Sequence, residues 1–152
     1  MQNRRMPVLA MLAAMLALSA CASGPRMSAE EKLATYVAAA GEPVKSFNYF
    51  GRISGWTPID DRNIAVWTRA QEAWLLTFNG SCRDAEWAPA ISLTHQGNSV
   101  YAGFDDVRVH GAGPGSASFP CRIAEIRPID TKKVRAAEKA ARDGAQDAPS
   151  GT

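Results

Sequence analysis

The chain has 152 residues, 46% of them hydrophobic, with 17 Lys and Arg against 15 Asp and Glu. That is enough for one domain with a real core. The near balance of charge leaves no basic field to suggest nucleic acid as a partner. No apolar run beyond the N-terminus approaches the length of a membrane span.

The N-terminus reads as an address. Arg4 and Arg5 precede an unbroken apolar or small run from Met6 to Ala17. This is too short to span a bilayer stably and fits the apolar region of a signal peptide. The run ends in Leu18-Ser19-Ala20-Cys21, which resembles a bacterial lipobox. That resemblance implies that the Cys21 thiol receives a diacylglycerol. The chain is then cut before Cys21, and the new amine takes a fatty acyl group such as palmitate. A Cys is needed because its thiolate is the nucleophile that forms the thioether. Two or more acyl chains anchor a protein stably where one does not. Ala22, rather than Asp, follows Cys21, which points to the outer membrane over the inner one. Residues 1–20 are thus expected to be a signal peptide and 21–27 a lipid-anchored tether. Removing the signal leaves 132 residues and takes away Arg4 and Arg5, so the net charge of +2 belongs to the signal.

Lipidation of Cys21 would leave Cys82 and Cys121. In an oxidising envelope compartment two such cysteines most often pair. Two free buried thiols, a redox pair or a metal site are the alternatives. The last two lack a C-x-x-C spacing or nearby histidines.

A single β-rich domain is expected over 28–130. Ser28 and Glu31 form a capping box, and a helix follows from Ala29 to about Ala40, with Leu33, Tyr36, Val37 and Ala40 on one face. Gly41 reads as its C-cap. Beyond it the texture is short, β-rich runs broken by Gly, Pro, Asn and Asp. Val44 to Ile53 reads as one long or broken strand, and Trp56 to Asp61 as a turn. Asn63 to Arg69 and Ala73 to Phe78 read as a hairpin, with Ile64 and Val66 on one face and Ala65 and Trp67 on the other. Asp84 to Ala88 is expected to form one helical turn. Ile91 to His95 and Val100 to Phe104 flank a hairpin turn at Gln96-Gly97-Asn98-Ser99. Asp106 to His110 alternates again, Gly111 to Ser118 is a flexible loop, and Phe119 to Ile129 is the last strand. The fold class is α+β, mostly β: a small antiparallel barrel or sandwich with an N-terminal helix and one disulfide. Residues 131–152 form an exposed, charged tail. Asp130 is expected to cap a helix to about Arg142 whose single large apolar residue is Val134, and 147–152 is expected to be disordered. The tail's Lys and Arg residues suit anionic lipid or an acidic partner, although a solvated helix is the plainer reading.

Chemistry is sparse. His95 and His110 are the two histidines. With Asp105 or Asp106 they would make a metal or small-ligand site only if the fold gathered them. Asp60-Asp61 and Asp105-Asp106 are adjacent pairs whose side chains point to opposite faces of a strand, so neither is an acid/base dyad. No G-x-S-x-G nucleophile elbow and no phosphate-loop lysine occurs. Trp56, Trp67, Trp74 and Trp87 are many for this length and suit a sugar or peptide groove, with Trp74 better explained as core.

The segments Ile64-Ala65-Val66-Trp67, Ala73-Trp74-Leu75-Leu76 and Cys121-Arg122-Ile123-Ala124-Glu125-Ile126-Arg127-Pro128-Ile129-Asp130 resemble the DUF6491 family of uncharacterised proteobacterial envelope proteins. The likeness covers about 44–130. It implies an envelope location and supports the pairing of Cys82 with Cys121, but brings no activity, cofactor or catalytic residue. The leading reading is a non-enzymatic lipoprotein, lipid-anchored through Cys21 and facing the periplasm, that binds or supports an envelope protein or the cell wall. A periplasmic metal- or small-ligand-binding protein using His95, His110 and Asp105 or Asp106 is the alternative. An enzyme ranks third.

Overall fold

Ile64 and Val66 point to one side of a strand while Ala65 and Trp67 point to the other, and all but Trp67 are fully buried. A strand apolar on both faces belongs between two layers. In the computed structural model, which describes residues 27–111 and 118–146, that strand lies one place in from the edge of a curved antiparallel sheet.

The first described element is helix α1 (Ala29–Ala39). Ser28 caps it: the Glu31 amide donates to Ser28 Oγ, and the Ser28 amide donates to the Glu31 carboxylate. These bonds hold Glu31 below its ordinary carboxylate value. Eight strands follow: β1 (Ser46–Asn48), β2 (Gly55–Pro58), β3 (Asn63–Arg69), β4 (Glu72–Phe78), β5 (Ala90–Leu93), β6 (Ser99–Tyr101), β7 (Asp106–His110) and β8 (Ser118–Ile129). Helix α2 (Thr131–Gln146) closes the described chain. Strands β2-β3-β4-β8-β7-β5 form, in that order, a six-stranded half-barrel, and β1 pairs with β6 as a separate ribbon.

Strand β8 organises the sheet. Its first half pairs with β7 and its second half with β4. Between the pairs Thr77–Glu125 and Phe78–Ile123, Ala124 has no partner on β4. This bulge shifts the alternation by one residue. As a result Ile123 and Ile126, three apart, both enter the concave core, and Ile129 faces the other layer. The concave core gathers Ile64, Val66, Leu76, Phe78, Val107 and Val109, and the β1–β6 ribbon adds Phe47 and Val100. The convex layer packs Tyr36 and Ala39 of α1 and Val134 of α2 against Ala65, Ala73 and Leu75. Small residues at 65 and 73 let the helices come close.

The mostly-β reading, the N-terminal helix and the disulfide stand. Cys82 and Cys121 are bonded, with Cα atoms 5.9 Å apart. Several local expectations are corrected. Trp56 to Pro58, read as the start of a turn running to Asp61, instead belong to the edge strand β2 on β3. Pro58 is tolerated there because an edge position can do without a ladder N–H. The long strand over 44–53 shrinks to β1 and a bridge from Val44 to Ile126. The turn at 96–99 forms, with Gln96 and Ser99 bridged, yet its flanks separate: β5 pairs with β7 and β6 with β1. Ala40, not Gly41, is the C-cap of α1. Gly41 instead donates to the Pro128 carbonyl, and a Cβ at Gly41 would meet the Pro128 ring at 3.1 Å. The helical turn after Cys82 is a 3₁₀ turn, Arg83–Ala85.

Helix α2 runs to Gln146, and Asp130 caps it by accepting from the Lys132 and Lys133 amides. Most of its residues are exposed, but Val134 is fully buried. Thr131 is buried too, and the Arg135 guanidinium lies over the Trp67 ring and donates to the Ala70 carbonyl. One large apolar residue, Val134, thus docks the helix together with these polar contacts, where a wide apolar face is absent. The signal peptide, Cys21, the tether, most of the Gly/Ser loop (112–117) and 147–152 lie outside the described residues.

Candidate functional site

The β5–β7 register places the two histidines at opposite ends of one strand pair. Ala90 faces His110 and Leu93 faces Val107, while His95 lies two residues beyond Leu93. At about 3.3 Å per residue that separates their backbones by roughly 16 Å along the strands. His95 Nδ1 lies 2.8 Å from the Gly97 carbonyl oxygen, and its ring meets Tyr49 edge-on. Asp105 is buried, and its carboxylate accepts from the Thr94 hydroxyl and the Tyr101 amide. Asp106 pairs with Arg122 at 2.8 Å. Among the described residues no group of three His, Cys, Asp or Glu side chains is placed to hold a metal ion. Asp60 serves its turn, accepting from the Arg62 amide and the Asn63 side chain.

One pairing escapes a reading by sequence. Ser92 Oγ lies 2.8 Å from His110 Nε2, across β5 and β7. Nothing local signals it, because the two strands are not consecutive. The distance suits a nucleophile and its base. Both residues sit on the outward side of the sheet, opposite Ile91, Leu93 and Val109, and no described carboxylate bonds His110. As it stands the pair is a cross-strand hydrogen bond.

The barrel interior is filled with side chains, so the recognisable surfaces are outside. Phe50, Trp87, Phe104 and Phe119 are each more than half exposed. A shallow cleft of about 350 Å³ is lined by Phe47, Asn48, Phe50, Arg69, Glu72 and Trp74. Here Trp74 stacks on Phe47 with centroids 4.9 Å apart, and Arg69 lies over Phe50 while pairing with Glu72. A second cleft, about 440 Å³, lies between Tyr101, Phe104, Val44 and Ala124. A third, about 370 Å³, flanks the disulfide beside Phe119 and Asp84. Of the four tryptophans, Trp56 and Trp74 pack on the concave core, Trp67 packs on the convex layer, and Trp87 stands in solvent.

The titratable group most altered by the fold joins the two helices. Tyr36, 1% exposed, donates its hydroxyl to Glu138 at 3.1 Å. Burial, with the Glu138 charge acting in the same direction, pushes its pKa up to about 12. The folded value therefore exceeds the unfolded one, so the contribution to stability is intact below about pH 10 and is lost as pH rises through about 12. Tyr36→Phe should flatten this alkaline decline. Unfolding midpoints measured from pH 9 to 12 test it: equal slopes in both proteins would contradict it.

Taken together, these features define the class: a small disulfide-stapled antiparallel half-barrel with a helical layer on one face and aromatic clefts on its exterior. The chain belongs to the family of unknown function DUF6491, whose family model matches residues 4–145. The match takes in both helices and reaches well beyond 44–130. No curated protein and no solved structure matches the chain.

Proposed function

We propose that this protein is a bacterial envelope lipoprotein, held by lipid on Cys21 at the periplasmic face of the outer membrane, whose half-barrel binds or supports another envelope component. The observation that carries this reading is the position of Cys21. It closes a signal-like run and stands seven residues before Ser28, the residue that caps the first helix. The fold therefore begins within about 25 Å of contour from the point of lipidation. The aromatic and charged side chains lining the outer clefts suit the binding of a partner. Cys21→Ala should leave unprocessed precursor or release the protein from membranes. Fractionation with an immunoblot reads this directly; a processed variant that still follows the lipid would overturn the anchor.

A further inference from the structure

The basic face of α2 is not used by the reading above. From Thr131 to Ala141 the helix carries Lys132, Lys133, Arg135 and Lys139 against a single carboxylate, Glu138. The fold turns that carboxylate inward, where it accepts from the Tyr36 hydroxyl. Arg135 is fixed against Trp67 and the Ala70 carbonyl. Lys132 and Lys139, seven apart, fall on one side of the helix with Arg135 between them. Lys132, Lys133 and Lys139 are exposed. Among the described residues the carboxylate within 4 Å of these lysines is Asp130, 3.9 Å from Lys133 and engaged in the helix cap. Asp143, four residues beyond Lys139, makes no ion pair with it within 4 Å, so Lys132 and Lys139 have no described ion-pair partner and the face keeps a net positive charge.

We propose that this face of α2 lies against the anionic lipid surface to which the protein is anchored, so that the lipid headgroups supply the missing negative charge. The inference rests on the anchor at Cys21. The short chain between Cys21 and Ser28 holds the start of the fold within about 25 Å of the bilayer and so keeps the domain beside it. An exposed basic helix on a domain tethered to a membrane is drawn to anionic headgroups. Charge complementarity and the short reach both select the bilayer. The contact orients the half-barrel on the membrane and so determines which outer cleft faces a partner.

The test uses the full mature lipoprotein reconstituted in vesicles, either neutral or with about a third anionic phospholipid. A water-soluble amine-acylating reagent then labels exposed lysines. In anionic vesicles Lys132, Lys133 and Lys139 should label roughly three- to tenfold less than in neutral ones. Exposed Lys45, on another part of the domain, should be unchanged. The difference should vanish near 1 M salt, where screening acts within about 3 Å. Lys132→Glu with Lys139→Glu should restore labelling of Lys133. Equal labelling in the two vesicle types, or protection that salt does not reverse, would overturn the proposal. The mass of the N-terminal peptide, read in the same samples, keeps the two readings apart. Lipid on Cys21 with unprotected lysines refutes the docked face alone, whereas no lipid on Cys21 refutes the anchor as well.

Discussion

Replacing Cys82 and Cys121 together by Ala is expected to cost about 4 kcal/mol of folding stability, by the chain entropy of the 39-residue separation they close. That is a large part of the 5–15 kcal/mol that holds a typical domain. The site explains why the bridge matters locally as well. Cys82 lies in the irregular segment between β4 and β5: its amide donates to the Asp61 carbonyl, and the Ala85 amide donates back to the Cys82 carbonyl. Cys121 belongs to β8 and pairs with Val107. The bridge therefore ties an irregular segment to the strand shared by both halves of the sheet. Cys82 is buried, so the double Ala variant also gives up some packing in the concave core. Urea unfolding of the two proteins measures the cost. A difference below about 1 kcal/mol would show that the segment is held by other contacts.

Phe78→Ala is expected to cost about 3–5 kcal/mol, the usual range for truncating a fully buried aromatic residue. Phe78 is 1% exposed and faces Ile123 across the bulge in β8. It lies in the same core as Leu76, Val107 and Ile126. Collapse around the void would have to move β4 or β8, which both carry other pairings. Phe104→Ala is the control, because that ring is 70% exposed. Its effect should stay within about 0.5 kcal/mol. Comparable losses from the two substitutions would contradict the assignment of core and surface.

The readability of this fold followed the range over which each signal acts. Strands β3 and β4 were legible because alternation of Ile64, Ala65, Val66 and Trp67 is a local property of the chain. The capping box of α1 was legible for the same reason: Ser28 and Glu31 are three residues apart. Partners were not. The turn at Gln96–Ser99 forms as read, yet Val100 enters the ribbon with Phe47, because the concave core and not the turn decides which edge each strand takes. Strand β2 was hidden by Gly55 and Pro58, residues that punctuate turns but are also accepted at a sheet edge. The docking of α2 uses Val134 as its one large apolar residue, a signal too small to separate from a solvated helix, and its polar contacts, from Arg135 to Trp67 and from Glu138 to Tyr36, reach across the fold. Ser92 meets His110 only through the pairing of β5 with β7. The clefts depend on side chains gathered from distant strands, as with Phe50, Arg69 and Trp74, and no spacing in the chain announces them.

The measurement that bears most directly on the proposed role is the mass of the N-terminal peptide of the protein purified from bacterial membranes. The expected result is a chain that begins at Cys21, with a diacylglyceryl thioether on its sulfur and an acyl group on its amine. A mature chain with an unmodified Cys21, or one that begins at another residue, would contradict it.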